Sequence, residues 1–350
     1  MEQIIFWATN KNAKKTYQDP SWFYRCVNLG TALQDWGWQV AYRHIASWKP
    51  DLTADIAFFH RPQWNGHFWK HLCLLKRRGV KLIADFDDFI FDPHQAQYSP
   101  AVLNGILTLE QTAQNFMRHQ KVLSYLDTLT VSTQPLADHL AKLIPQTPVV
   151  VLPNAVPNQW LKQSNALTPA KTKLAQPIIS YLPGTRSHDR DFQVFQPAIE
   201  RFLQDYPQVR LRVTGPLNFA LNVQENQIIR QEKVPFADYY QQFQDIWVNL
   251  APLEDTPFTR CKSALKVIEA AYWGIPTLCT PIADTARFAD KGGIAVTTDS
   301  EVYAALQQLL QLDTYTTLTH NLREDVLMEA NIHDIAKKMN DRMVIKSSNY

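Results

Sequence analysis

Residues 246–281, IWVNLAPLEDTPFTRCKSALKVIEAAYWGIPTLCTP, decide the architecture of this chain. The stretch opens on an apolar run, Ile246 to Leu250, rich in β-branched and aromatic residues and turning at Ala251 and Pro252, which suits a buried strand. A short acidic loop follows. Ala264, Leu265, Val267, Ile268 and Ala271 then recur at helical spacing until Gly274 and Pro276 stop the helix. Pro276 to Cys279 reads as the next strand, so the unit is strand, loop, helix, strand, a βαβ crossover.

Chemistry gathers at the start of that helix. Arg260, Lys262, Ser263 and Lys266 crowd the first two turns, where the helix dipole and the unpaired N–H groups are already positive. An anion would offset this, and a diphosphate fits the set. A solvated basic face is the plainer alternative. Lys262, Lys266 and Glu269 fall at i, i+4 and i+7, so the three line one side of the helix.

The segment Glu269-Ala270-Ala271-Tyr272-Trp273-Gly274-Ile275-Pro276 resembles the E-A-x-x-x-G-x-P signature of nucleotide-sugar-dependent glycosyltransferases with two Rossmann-like domains, the GT-B architecture. It is closest in pattern to the retaining enzymes of glycosyltransferase family four. The resemblance implies that Glu269 holds the ribose hydroxyls of the donor. Eight positions earlier that family usually has a second Glu, which binds the transferred sugar; this chain has Cys261 there.

At 350 residues the chain is long enough for two domains, each with its own core. Hydrophobic content of 45% with 19% charged residues is that of an ordinary globular protein. No run reaches the roughly 18 apolar residues of a membrane span. The N-terminus reads as a first strand rather than a secretory signal, which places the chain in the cytoplasm. Cys26, Cys73, Cys261 and Cys279 are scattered, arguing against a zinc site or a disulfide framework. Residues 1–80 hold eleven Lys/Arg against five Asp/Glu, a net +6, and seven of the ten Trp. Such a surface suits an anionic acceptor or the inner face of a membrane, with core packing of the Trp residues as the alternative. No nucleic-acid recognition pattern accompanies it.

Taken in order, the chain alternates strands and helices. Expected strands are Ile4–Ala8, Gln39–His44, Ile56–Phe59, Val80–Ala84, Thr128–Ser132 and Val149–Leu152, with helices over 21–35, 64–78 and 135–143 and a largely helical stretch over 98–126. This predicts an α/β fold with a parallel, doubly wound sheet and ligands at the strand carboxyl ends. Leu152-Pro153-Asn154-Ala155-Val156 resembles the turn that closes the first domain in the family. The domains are therefore expected at 1–156 and 177–330, with a polar linker over 157–176 and a last helix over 331–350 that in this architecture often crosses back. In the second half, Ile178–Leu182, Arg210–Gly215, Ile228–Glu232 and Ile294–Val296 complete the strands around the central unit.

Asp85, Asp87 and Asp88 cluster at one strand end, where three carboxylates repel unless something relieves them. Three readings stand: an acceptor or sugar contact with Asp87 as a catalytic group, a loop and helix cap, or a divalent-metal site of the D-x-D kind. After Ile178–Leu182, the turn Pro183-Gly184-Thr185-Arg186-Ser187-His188-Asp189-Arg190 brings backbone amides near a phosphate. Gly184 allows that approach, and the resemblance matches Thr185 and Arg190 to donor-site positions, with Arg190 and Lys266 flanking the diphosphate. His188 and Arg186 are further candidate hydrogen-bond donors; a helix start with paired Asp and Arg is the plainer reading.

The resemblance as a whole implies a transferase of the hexosyl or glycosyl class. It moves a sugar from a nucleoside diphosphate donor, its only co-substrate, to a glycan or lipid-linked acceptor, as in bacterial-type surface polysaccharide synthesis, with retention and with no metal or other cofactor. A phosphorylase or epimerase on the same architecture, and a catalytically silent nucleotide-binding module, are the competing classes.

Overall fold

The computed structural model describes residues 2–10, 13–47, 54–163, 166–184 and 188–344. Among them are two six-stranded sheets. The first comprises β1 (Gln3–Ala8), β2 (Gln39–His44), β3 (Ile56–His60), β4 (Lys81–Phe86), β5 (Thr128–Val131) and β6 (Val149–Val151) in the order β2-β1-β3-β4-β5-β6. The second comprises β7 (Ile178–Tyr181), β8 (Arg210–Thr214), β9 (Ile228–Gln231), β10 (Val248–Ala251), β11 (Thr277–Cys279) and β12 (Gly293–Ala295) in the order β9-β8-β7-β10-β11-β12. Every pairing is parallel. All twelve expected strands are present, with ends shifted by a residue or two.

Helices cover both faces of each sheet, so the central strands read as continuous apolar runs rather than alternating ones. All five residues of β3, IAFFH, are buried, as are all four of β7, IISY. Edge strands are only half covered: no residue of β2, β6 or β9 is fully buried. In the first layer Ile5, Trp7, Phe59 and Leu82 pack on one face, and Ile4, Phe6, Phe58 and Ile83 on the other.

Strand order places the ligand-binding crevices. The strand order reverses once in each sheet, between β1 and β3 in the first and between β7 and β10 in the second, and in open parallel sheets ligands bind beyond the carboxyl ends of the strands at such a point. The two crevices face each other.

Two segments leave their own layer. Helix Ile332–Val344 packs on helix Asn28–Asp35, with Ile332, Ile335, Ala336 and Met339 in the first-layer core and Trp38 Nε1 donating to Asn340 Oδ1 at 2.9 Å. From the loop after β10, Phe258 and Cys261 enter the core beside Leu136, Ala137 and Leu140, and Thr133 Oγ1 donates to the Cys261 carbonyl at 2.9 Å.

Three helical expectations are corrected. The helix after β10 begins only at Leu265, so Arg260 sits in a single tight turn, Thr259–Cys261, and Lys262 and Ser263 in the extended entry to the helix. The stretch 98–126 is broken into helices Pro100–Leu103 and Leu109–Gln120 and a 3₁₀ turn, Leu123–Tyr125, because Pro100 starts a new helix and Gly105 takes φ 65° between the first two. The segment 157–176 carries two short helices, Asn158–Leu161 and Ala170–Ala175.

Candidate functional site

The element that organises the cleft runs from Pro20 to Asp35. Asp19 caps it, accepting from Ser21 N at 3.0 Å, and Pro20 stands in its first turn, where its missing N–H is no loss. Phe23–Val27 form one π-helical turn, which widens the helix and changes the direction of successive side chains. Ser21, Phe23 and Tyr24 consequently reach into the space between the layers, while Arg25 turns into the first layer. Phe23, Tyr24 and Arg25 were not singled out in the sequence, and Ser21 only as the start of the helix over 21–35, whose cap is Asp19 instead; an i to i+5 turn leaves no local signature.

Register assembles the acidic end of the first crevice. His60 on β3 lies beside Asp85 on β4, and Asp85 beside Thr130 on β5. Arg25 grips Asp85 with two nitrogens, at 2.7 and 3.0 Å, and Thr130 Oγ1 donates to it at 2.7 Å. Arg61, held at φ 47°, donates to Asp87 Oδ1 at 2.6 Å and to Asp88 Oδ2 at 2.9 Å. Lys262 reaches from the second layer to Asp88 Oδ1 at 2.6 Å. Burial opposes the ionisation of Asp85 and Asp87, but Arg25 for the first and Arg61 for the second outweigh it and hold both below the usual carboxylate range.

Three cations of the chain therefore relieve the three acids. His60, Asp85 and Asp87 do bring ligand-type atoms within 4.8 Å of one another. Arg25 already occupies both oxygens of Asp85, and Arg61 occupies one of Asp87, so this cluster is an ion-pair network by construction. Ser21 Oγ gives its proton to Asp87 Oδ2 at 2.5 Å, which makes His60 Nε2, 2.9 Å from Ser21 Oγ, the donor to that hydroxyl.

Across the cleft the charges are treated differently. Glu269 is 4% exposed, and its carboxylate oxygens accept from two phenols, Tyr24 of the first layer and Tyr239 at 3.2 Å. Burial pushes its carboxyl up to about 7, against the phenols and Lys266, which favour the charged form. Lys266 stands one turn earlier, its ammonium 5.8 Å from the Tyr181 ring centroid. Among the described residues it has no ion pair or hydrogen-bond partner, and burial lowers its pKa. His188 donates from Nδ1 to Asp191 at 2.7 Å, while burial and then Lys266 hold the ring at about 4, so at neutral pH it is uncharged.

Two adjoining cavities separate the layers. One, of about 310 Å³, is lined by Phe23 and Tyr24 from the first layer and by Gly184, Phe236, Tyr239 and Glu269 from the second. The other, of about 200 Å³, is lined by Ser21, Asp87, Asp88 and Asn154 facing Lys262 and Ser263. His188 and Lys266 border both. Asn154 Nδ2 donates to Ser263 Oγ at 2.8 Å, a further tie across the cleft.

The remaining expected site residues fall elsewhere. Arg190 borders neither cavity; its guanidinium is paired in two contacts with Glu254. Arg260 is exposed and paired with Asp255 at 2.6 and 2.8 Å. Both acids come from the loop after β10, and their proximity in the chain or across the crevice takes up these cations. Thr185 lies outside the described residues. Cys261 faces away from the cavities into the first-layer core, and burial pushes its thiol up to about 12. Ala264 N, at the helix start, already donates to Asp284 at 2.7 Å.

No family model matches the chain, and no curated protein sequence does. Solved structures do match. A TarM variant of S. aureus in complex with fondaparinux, α-GlcNAc-glycerol and UDP superimposes with a TM-score of 0.59 at 10% identity, covering 84% of this chain and 56% of that one. MnaA of S. aureus with UDP gives 0.54 at 13% identity over 100% and 98% of the two chains. A putative UDP-N-acetylglucosamine 2-epimerase from Listeria monocytogenes gives 0.54 at 13%, over 96% and 95%. The fold is GT-B. At these identities the likeness speaks for architecture, and this GT-B chain spans little more than half the length of TarM. GT-B topology also explains why both crevices open on one cleft: each parallel sheet presents its carboxyl ends to the other.

Proposed function

We propose that this chain is a glycosyltransferase that takes a nucleoside diphosphate sugar as donor and a glycan or lipid-linked hydroxyl as acceptor. The observation that carries the reading is Lys266: a partly desolvated cation with no partner among the described residues, at the wall shared by both cavities, one turn before a buried carboxylate. An unpaired cation is costly in such a place unless an anion arrives.

In this reading the nucleoside lies in the larger cavity, its ribose hydroxyls donating to Glu269, and the diphosphate lies against Lys266. The sugar extends into the smaller cavity toward Ser21, Asp87, Asn154 and Lys262. As the glycosidic C–O bond breaks, charge grows on the diphosphate, and a cation fixed in advance binds it better in the transition state than in the ground state. The acceptor oxygen bonds to the anomeric carbon, and its proton passes to the departing diphosphate. Asp87 orients the acceptor hydroxyl rather than taking its proton, since a carboxylate held well below its usual range is a weak base. That arrangement favours transfer with retention and without a metal. Arg190 and Arg260 would join the diphosphate only by leaving Glu254 and Asp255.

A thermal-shift series with UDP, GDP, ADP, TDP and CMP, each with and without EDTA, tests the donor site, because a ligand of the folded state raises stability. A diphosphate that shifts the melting point with EDTA present supports the reading and names the base; no shift with any of them removes it. Incubation with and without a hydroxyl acceptor separates transfer from epimerisation, and NMR of the product reads the stereochemistry.

A further inference from the structure

One strip of the first layer lies outside both of the cavities that hold Lys266. Beyond Gly105 the chain exposes a cluster of large apolar side chains: Ile106 at 51%, Leu107 at 39% and Leu109 at 50%. Helix Leu109–Gln120 continues it, because Leu109, Ala113, Met117 and Lys121 follow one another at four-residue intervals and share a face, with Met117 55% exposed. At the far end the Lys121 ammonium sits 4.5 Å from the Trp64 ring centroid. Trp64 in turn packs against Trp69 at 5.1 Å and Tyr125 at 5.2 Å, all three half-buried. The result is a continuous strip, apolar at one end and amphipathic-aromatic at the other.

Cations flank the strip. On helix Gly66–Arg77, Lys70 and Arg77 lie seven residues apart on the outward face, and Lys76 shares the flank of Trp69. Residues 64–78 contain Lys70, Lys76, Arg77 and Arg78 and no acid, and residues 106–127 add Arg118 and Lys121 against Glu110 and Asp127, the latter 3.9 Å from Lys76, a net +4. Trp and Tyr with apolar bodies and polar tips, ringed by Lys and Arg beside exposed aliphatics, match the layers of a bilayer interface. A second copy of the chain fits poorly, since a two-fold contact sets this positive face against itself. Protein interfaces also tend to exclude Lys.

We propose that this strip docks the first layer on an anionic lipid surface, with Ile106, Leu107 and Leu109 entering the bilayer and the flanking Lys and Arg meeting lipid phosphates. Ile106 also borders a groove of about 1170 Å³ between the layers, which meets the larger cavity at Lys233. Docking by this edge brings the mouth of the cleft to the membrane, where a lipid-linked acceptor is presented. The docking itself does not depend on the donor-site reading.

Co-sedimentation of the full chain with vesicles of phosphatidylcholine, alone and mixed with phosphatidylglycerol, tests this. The wild type is expected to partition onto the mixed vesicles, and added salt weakens the effect. Ile106→Asp with Leu109→Asp should lower partition about tenfold or more, and Lys70→Glu with Arg77→Glu should do so on anionic vesicles only. The nucleotide-induced thermal shift, measured on the same variants, stays at its wild-type value if the two surfaces are separate. Equal partition onto neutral and anionic vesicles, no partition above a lipid-free control, or variants that bind like wild type would each overturn the docking. So would light scattering that finds a dimer abolished by the Asp substitutions, which would assign the strip to a second copy.

Discussion

The two walls of the cleft hold charge in opposite ways. On the first-layer wall Asp85, Asp87 and Asp88 are matched by Arg25, Arg61 and Lys262, and Asp85 and Asp87 are held in their ionised form. On the second-layer wall Lys266 has no partner among the described residues and Glu269 has only phenols, so burial pushes both toward neutrality. Matched charges are finished structure. Unmatched ones are costly in the free protein and are relieved by an anion or a donor, which is why the second wall, rather than the more acidic first, is the proposed nucleotide site.

The largest effect should come from unmatching the first wall. Arg25 and Asp85 are 3% and 0% exposed, so Arg25→Ala leaves a buried carboxylate without its cation. A loss of about 3–5 kcal/mol in urea-unfolding stability is expected; a loss below 1 kcal/mol would mean the network is not structural.

The second prediction concerns Glu269. Its carboxyl titrates near 7 in the fold against 4.5 in the unfolded chain, so the protonated form favours the fold. Its stabilising contribution is complete below pH 4.5 and is lost as pH rises through 7, about 3 kcal/mol in all. Glu269→Gln should therefore unfold at higher urea than the wild type above pH 7 and show no such gain below pH 4.5. The same variant should bind the nucleotide more weakly. Parallel stability curves for the two proteins would place Glu269 on the matched side of the comparison.

The smallest effect belongs to Arg260. Its pair with Asp255 is exposed on both sides, 66% and 65%, and such pairs contribute little. Arg260→Ala should leave both melting point and nucleotide affinity unchanged; a large drop in affinity would bring Arg260 back to the diphosphate.

These contrasts also mark what the residues alone could convey. Periodicity located all twelve strands, since parallel strands buried on both faces are uninterrupted apolar runs such as IAFFH and IISY. Within the strand, loop, helix unit, Lys266 and Glu269 were legible because both lie on one short helix. The acid cluster was visible but not its meaning, because Arg25 arrives from a helix 60 residues before Asp85 and Lys262 from 174 residues beyond Asp88. Arg190 and Arg260 looked available because their partners, Glu254 and Asp255, are set by how one loop folds. Cys261 looked like an altered sugar contact; packing turned it into part of the seam between the layers. The π-helical turn at Phe23–Val27, which aims Tyr24 at Glu269, depends on the fit of that helix to its surroundings.

Titration calorimetry of the nucleoside diphosphate that shifts the melting point, into wild type and Lys266→Ala, bears most directly on the account. Because a charge-assisted contact contributes about 1.5–3 kcal/mol, Lys266→Ala is expected to bind about tenfold more weakly or worse while unfolding at the same or a higher urea concentration. Equal affinity in the two proteins would contradict it, and would remove the unmatched cation from the site.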